Sequence, residues 1–308
     1  MKAKSCKELL DAYELKPRIK KSKKLIFTGV GGKDVYNITA PFGDDGSLVI
    51  AGRVEDRNSE NSKVKFFVDN NGVLSPKKGA REFELQDPFV TKINGELIFG
   101  GVYIYPHPEI EGSLGYKTVF YRGNTIETLE KFAEGPEMMK DIRLAKLPNG
   151  EILVLTRPQG EVGGRGKIGF IKIKSIDNLN ADTINSAKII ENQFVNEEWG
   201  GSNEIHILND TLVGVLGHIA SFDEYGNRHY YPMAYSFNID TNEASEIKII
   251  AKRGDLPSGS AKRSDLADVL FSGGIIRENN GEAELYVGVS DAEAHKILIE
   301  DPFTEYVK

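Results

Sequence analysis

The sequence predicts an all-β fold, a five-bladed β-propeller with a short N-terminal helix. Three observations carry that expectation. Five degenerate copies of one pattern recur, each a polar residue before an apolar strand, a turn, and a second strand ending in a polar or glycine-rich corner. The copies are YNITAPFGDDGSLVIAGRVE from Tyr36, FELQDPFVTKINGELIFGG from Phe83, MKDIRLAKLPNGEILVLTRP from Met139, GGSNEIHILNDTLVGVLGHI from Gly200 and FSGGIIRENNGEAELYVGVSD from Phe271. Their turns fall at Gly46, Gly95, Gly150, Asp210 and Gly281, roughly 50 to 70 residues apart, which suits one strand-rich blade apiece. Lastly, from Lys24 onward the chain reads almost wholly as strand between Gly, Asn and Asp turns.

Composition sets the outer bounds. The chain has 308 residues, 40% hydrophobic and 28% charged, enough for a sizeable core in a soluble globular protein. A net charge of -7 argues against phosphate-backbone binding as the main task, so no nucleic-acid partner is expected. The single Cys6 excludes an internal disulfide, and no stretch has signal-peptide or membrane length; a cytoplasmic protein with no membrane partner is the simplest reading.

The elements follow in order. Over residues 1–15, Ser5 and Glu8 have capping-box spacing, and Leu9, Leu10, Tyr13 and Leu15 follow with helical periodicity until Pro17 stops it. The run KPRIKKSKK reads as a solvated basic linker, so residues 1–24 form helix and linker and 25–308 a single catalytic propeller domain. LIFTGV, YNITAPF, LVIAGRV and KVKFFV supply the first blade, in which Asn37 is the polar residue before the strand. Arg53 and Glu55, two apart, share a face if the strand continues. They are either a buried pair completed by a sugar's hydroxyls or a surface ion pair.

The second copy is the centre of the pattern. Phe89 to Ile93 and Glu96 to Phe99 read as two strands joined by Asn94-Gly95, a type I′ turn pair. Pro88 biases Asp87 out of the helical region, so a carboxylate sits at the head of a strand, aimed at the axis. In the third copy Lys140, Asp141 and Arg143 precede a strand that returns at Arg157, and the three cations suit an anion unless they face solvent. GGRGKIG contains GxGxxG but precedes the strand-like FIKIKSI, which excludes a dinucleotide site.

The fourth copy offers Trp199, Asn203, Glu204, His206 and, one strand later, His218. A third metal ligand is lacking, so no metal is expected, and hydrogen bonding to a polyhydroxylated substrate or an anion fits better. Trp199 is a stacking platform or simply core. GDLPSGSAKRSDLADV is the only other stretch that reads as helix. In the fifth copy Asp291 and His295 follow ELYVGVS, Asp291 being an axial carboxylate or a turn residue.

Read together, AGRVEDR, the QDP before a Thr-Lys-Ile-Asn-Gly hairpin, the KD before a strand and RP, the LGH of the fourth copy and YVGVSDA are similar, in that order, to signature segments of a known group. They resemble the β-mannoside phosphorylases of glycoside hydrolase family 130. More closely still they resemble the mannosyltransferase/phosphorylases of β-1,2-linked mannan, glycosyltransferase family 108. The resemblance covers nearly all of the chain after the helix, and both families are five-bladed propellers. It implies that Asp87 is the single catalytic acid, that Arg53, Glu55, Asp141 and Asp291 bind sugar, and that Arg143, Arg157 and His218, with Lys140, bind phosphate. Where family 130 reads Glu-Asp-Pro-Arg, this chain has Gln86 and Phe89, so the charges beside the acid differ.

That inventory suits phosphorolysis. Phosphate is already an anionic nucleophile, so one carboxylic acid and a cationic pocket suffice, whereas an inverting hydrolase needs a second carboxylate to activate water. The expected partners are a mannooligosaccharide with phosphate or mannose 1-phosphate, GDP-mannose being an alternative donor, and no cofactor beyond phosphate as co-substrate. Two alternatives remain: a β-mannoside hydrolase, with Glu204 or Asp291 as base, and a non-catalytic carbohydrate-binding propeller. Homo-oligomerisation is compatible with the fold, and no residue pattern decides it.

Overall fold

Strands exposed on one face alternate, as a pleated backbone requires, whereas those packed between neighbours are buried on both faces, as Ile152–Thr156 is throughout. Glu282–Val289 shows both: Glu282 and Glu284 are half-exposed beside buried Ala283 and Leu285, and from Leu285 to Val289 every residue is buried, Leu285, Val287 and Val289 in one core cluster and Tyr286 in another. The computed structural model describes residues 2–16 and 18–307; Pro17, the expected helix stop, lies outside them. Strands hold 49% of the residues and helices 11%, so the all-β expectation stands. No helix among the described residues is long and apolar enough to cross a membrane.

The strands form five units that follow the five sequence copies, antiparallel within each except for the parallel pairing of Ile26–Phe27 with Val73–Pro76 in the first. The second runs Gln86–Ile93, Glu96–Pro106, Leu114–Gly123, Glu130–Glu134, and the third Arg143–Lys146, Ile152–Thr156, Gly169–Ile173, Lys188–Ile189. The fourth runs Trp199–Ile207, Leu212–Phe222, Arg228–Asn238, Lys248–Ile249. In the first, Asp34–Tyr36 and Phe42–Asp44 both pair with Ser47–Glu55, and Ser62–Asn70, Val73–Pro76 and Ile26–Phe27 follow. The fifth contains Asp268–Arg277, Glu282–Val289 and Glu293–Glu300, and its outer strand is Ile19–Lys24 from the other end of the chain. Turn chemistry is as the residues require: Asn94 and Gly95 both have positive φ, 55° and 87°, the type I′ geometry.

Two expectations need correction. The basic run is not a linker: Ile19–Lys24 is a strand paired with Glu293–Glu300, and it escaped notice because an edge strand rich in lysine lacks apolar alternation. The fourth and fifth units are also joined, by a parallel pairing of His229 with Asp268 and Tyr230 with Val269. The segment between them is not an α-helix but two short 3-10 turns, Arg253–Asp255 and Ser264–Leu266, nor is it the only other helical stretch, since short α-helices stand at Gly160–Gly163 and Ala181–Asn185.

The apolar cores lie between units. Val49 and Phe66 of the first meet Phe83, Phe99 and Val119 of the second. Phe89 and Phe120 of the second meet Ile142 and Val154 of the third. Leu153 and Phe170 of the third meet Val215 and Tyr235 of the fourth, whose Leu216 and Ala234 pack on Leu270 and Leu285 of the fifth. Tyr286 and Ala294 of the fifth then pack on Val35, Ile38 and Ile50 of the first, so the five units close a ring. Gly273 is needed at that closure, because a Cβ there would lie 1.5 Å from the Ile38 carbonyl oxygen.

The helix, Cys6–Leu15, has the expected capping box: Glu8 Oε2 accepts from Ser5 N at 2.8 Å and Glu8 N donates to Ser5 Oγ at 3.3 Å. It buries Cys6, Leu9 and Tyr13 against the third and fourth units, while Leu15 leaves the apolar stripe and is 89% exposed.

Candidate active site

Four acidic or amide residues hold left-handed backbone at the heads or turns of inner strands: Asn37 (φ 45°), Asp87 (φ 47°), Asp141 (φ 59°) and Asp291 (φ 50°). Asn and Asp tolerate this region better than other side chains, and such strained residues cluster at functional sites. All four line one cavity of ≈ 280 Å³ inside the ring. At Asp87 the strand pairing slips between Gln86 and Phe89, a bulge that turns the carboxylate inward.

Asp87 is 6% exposed and accepts from Asn37 Nδ2 at 2.7 Å and from Arg53 Nη1 at 3.2 Å. Burial opposes its ionisation, but the Arg53 guanidinium, the Lys140 ammonium and the Asn37 amide together hold the carboxyl below its usual range. Asp291 shares the cavity and is shifted the other way: burial and the nearby Asp87 push its carboxyl up against the pull of Arg53 and Lys262.

Lys140, Arg157 and His218 line the same cavity. Arg157 is held by the Gly200 carbonyl at 2.9 Å and lies 3.3 Å from Asp141 Oδ2. His218 is fixed by Asn203 Oδ1, 2.9 Å from its Nδ1, and stacks on Tyr230 at 5.6 Å. Burial, with Arg157 and Lys140 nearby, brings the His218 pKa down to about 3, so the ring is neutral at physiological pH. Despite its burial, Lys140 is held protonated by Asp141 and Asp87. Its ammonium lies in the cavity wall, and the structure gives it no hydrogen bond or ion pair among the described residues.

Thus the structure brings together Asn37, Arg53, Asp87, Lys140, Asp141, Arg157, His218 and Asp291. Six other expected site residues stand away from the cavity. Glu55 shares Arg53's face as expected but sits behind it, bonded to Arg53 Nη2 at 2.7 Å, Tyr36 at 2.6 Å, Ser62 and Lys262. Every carboxylate position there is occupied by protein. Arg143 turns into the seam between units, donating to the Asn203 carbonyl at 2.8 Å with its guanidinium 4.4 Å from the Phe89 ring centre. The phenylalanine that departs from the family pattern is therefore what Arg143 covers.

Trp199 packs behind Tyr230, donating to its hydroxyl at 3.1 Å, and Asn203 orients His218 without reaching the cavity itself. A bulge between Ser202 and Glu204 shifts the alternation, so Glu204 accepts from Ile275 N at 2.7 Å and pairs with His206 at 3.1 Å on another part of the sheet. His295 is likewise remote, buried beside Glu293 at 3.0 Å.

Sequence reasoning missed Glu60, Gln86, Arg228, Tyr230, Arg263 and Phe271, which with Leu266 and Val269 complete the lining. Gln86 and Phe271 stand in the repeat segments; Glu60, Arg228, Tyr230 and Arg263 come from outer strands and connections outside the repeat. The signals available were two clusters of cations with aromatic or acidic neighbours, NRHYYP and AKRSD.

The site's geometry can be set beside known proteins. A family described as Protein of unknown function (DUF1861) matches residues 11–305. The chain belongs to the DUF1861 family. This DUF1861 chain is similar to two solved structures from Leishmania mexicana. One is MPT-4, a mannose phosphorylase in complex with phosphate ion, 34% identical over 98% of this chain and 95% of that one, with a TM-score of 0.90. The other is MPT-1, a GDP-Man-dependent mannosyltransferase, 32% identical over 99% and 96%, with a TM-score of 0.88. A β-1,2-mannobiose phosphorylase from Listeria innocua shares the fold at 13% identity over 95% and 94%, with a TM-score of 0.62. No curated protein matches the DUF1861 chain. The resemblance read from its motifs points to the same group of proteins.

Proposed function

We propose that this chain is an inverting β-1,2-mannoside phosphorylase/mannosyltransferase, a single five-bladed propeller domain with its site on the ring axis. One observation carries the reading: a buried carboxylate, Asp87, lines the same cavity of ≈ 280 Å³ as the uncommitted ammonium of Lys140 and the guanidinium of Arg157. The likeness to a mannose phosphorylase with phosphate bound and to a GDP-Man-dependent mannosyltransferase supports mannose as the sugar and phosphate as its partner.

Phosphate sits against Lys140 and Arg157, with neutral His218 beside it, and one of its oxygens bonds to C1 of the terminal mannose as the glycosidic C1–O bond breaks. The departing oxygen takes a proton from Asp87, directly or through a sugar hydroxyl. The proton that phosphate loses on becoming an ester restores Asp87, so no separate base is needed. Inversion of a β-mannoside yields α-mannose 1-phosphate. In reverse the same site elongates a β-1,2-mannoside from mannose 1-phosphate or a nucleotide sugar.

A hydrolase reading draws on one observation, that Asp291 lines the same cavity with its carboxylate uncommitted to any hydrogen bond among the described residues. Glu204, the other base considered, lies outside the cavity and is committed to Ile275 and His206. Incubation with β-1,2-mannobiose, with and without inorganic phosphate, separates the readings. Phosphate-dependent release of mannose 1-phosphate is expected; free mannose irrespective of phosphate overturns the phosphorylase reading.

A further inference from the structure

The connection between the fourth and fifth units carries a buried cation that the proposed reaction does not use. Beyond Arg253–Asp255 the chain runs across the fifth unit to the first. Ser260 N donates to Glu293 at 3.0 Å, Lys262 N to the Ser290 carbonyl at 2.9 Å, and Arg57 of the first unit to the Ala261 carbonyl at 3.4 Å. This course buries the Lys262 side chain, 5% exposed, against the first unit. Its ammonium finds an acceptor for each of its three hydrogens: the Ser59 carbonyl at 2.7 Å, the Glu60 carboxylate at 2.9 Å and the Glu55 carboxylate. Lys262 is not part of the central cavity wall.

Arg53 binds the same two glutamates through Nη2, at 2.7 and 3.2 Å, while its Nη1 reaches Asp87 at 3.2 Å. Three carboxylates therefore share two cations, and Arg53 alone touches all three. Burial opposes the charge on Glu55, but Arg53, Lys262, Ser62 and Tyr36 hold its carboxyl below the usual range. Without Lys262 both glutamates would draw on Arg53, and a negative charge would be left over behind it. Either change raises the proton affinity of Asp87. Arg263 does not substitute, because it lies 3.8 Å from Glu60, is half-exposed and is already held by Asp265. The other charged groups about Asp87 are Lys140, Asp141 and Arg143 of the third unit and Asp291 of the fifth. None of them bonds to Lys262 among the described residues, though Asp291 feels its charge through space and shifts in the same direction as Asp87.

We propose that Lys262 is a positioning residue for the acid: by neutralising Glu55 and Glu60 it leaves the Arg53 guanidinium to Asp87, and so tunes from outside the cavity the group that protonates the departing oxygen. The inference rests on the phosphorylase reading above and deepens it.

The test is the pH profile of kcat for phosphorolysis of β-1,2-mannobiose at saturating phosphate, whose alkaline limb reports the acid in the enzyme–substrate complex. Lys262→Met is expected to move that limb up by about one pH unit, and Lys262→Arg to leave it in place. Glu55→Gln, which removes a competitor for Arg53, should move it down, and the double variant Lys262→Met/Glu55→Gln should return it toward the wild type. If the methionine variant fails to fold, Glu55→Gln and the double variant, which leaves Glu55 no unpaired charge, decide the question. A kcat lowered equally at every pH with the limb unmoved, or an arginine variant that shifts as far as the methionine variant, overturns the role of Lys262 while leaving the phosphorylase reading intact. A wild type that releases no mannose 1-phosphate overturns that reading, and the proposal falls with it.

Discussion

Asp87 answers to two opposed demands. In the proposed reaction it gives up a proton, yet Arg53, Lys140 and Asn37 hold it ionised in the unliganded protein despite its burial. A phosphate dianion resolves the conflict, because it draws on the same cations and adds a negative charge nearby, both of which raise the proton affinity of a neighbouring carboxylate. Protonation of Asp87 then accompanies substrate binding. Asp87→Asn should therefore lower kcat by about 10²- to 10⁴-fold, the usual worth of a positioned acid. The fold should survive, since Asn accepts φ 47° and Arg53 keeps Glu55 and Glu60 as partners. Initial rates alongside circular dichroism check this, and a well-folded variant of full activity would sink the assignment.

At the scale of elements, the N-terminal strand makes the clearest case. Lys24 of Ile19–Lys24 donates to Glu293 at 2.6 Å, and Glu293 also takes hydrogen bonds from Ser260 N and His295. Burial works against ionisation of Glu293, but these donors bring its pKa from 4.5 down to about 2. A carboxyl whose folded pKa is depressed stabilises the protein fully above its unfolded pKa and loses that contribution as pH falls through the folded value. Glu293→Gln is expected to lower Tm by about 2–5 °C at pH 6. The gap to wild type should narrow steadily between about pH 4.5 and pH 2. Thermal scans over that range test it, and a gap that stays constant with pH would show the carboxylate's charge to be immaterial to the strand.

Across the whole molecule, the cavity wall draws on every unit: Asn37 and Arg53 from the first, Asp87 from the second, Lys140 and Arg157 from the third, His218 and Tyr230 from the fourth, Phe271 and Asp291 from the fifth. A ligand there ties the ring together and stabilises only the closed state. Phosphate at a hundred times its Kd should add about 2.7 kcal/mol, raising Tm by roughly 5 °C. Arg157→Ala should lose most of that shift. Equal shifts in variant and wild type, measured by scanning fluorimetry over a phosphate series, would count against the cationic wall.

What the sequence by itself determined is local. Alternation and left-handed turn pairs such as Asn94-Gly95 depend on near neighbours, so the strands, the five units, the capped helix and Asp87 ahead of Pro88 were all legible. The motif order, a property of the whole chain, was enough to point to relatives. Tertiary structure alone decided which polar residues face the axis. Bulges at Gln86/Phe89 and Ser202/Glu204 reset the side-chain alternation, turning Asp87 inward and sending Glu204 and His206 elsewhere. Arg53 stands in front of Glu55, the inter-unit seam takes Arg143, and distant segments bring Glu60, Tyr230 and Arg263 to the wall. A two-residue period cannot anticipate a bulge, and no local pattern records which outer strand or loop will reach the centre of a closed ring.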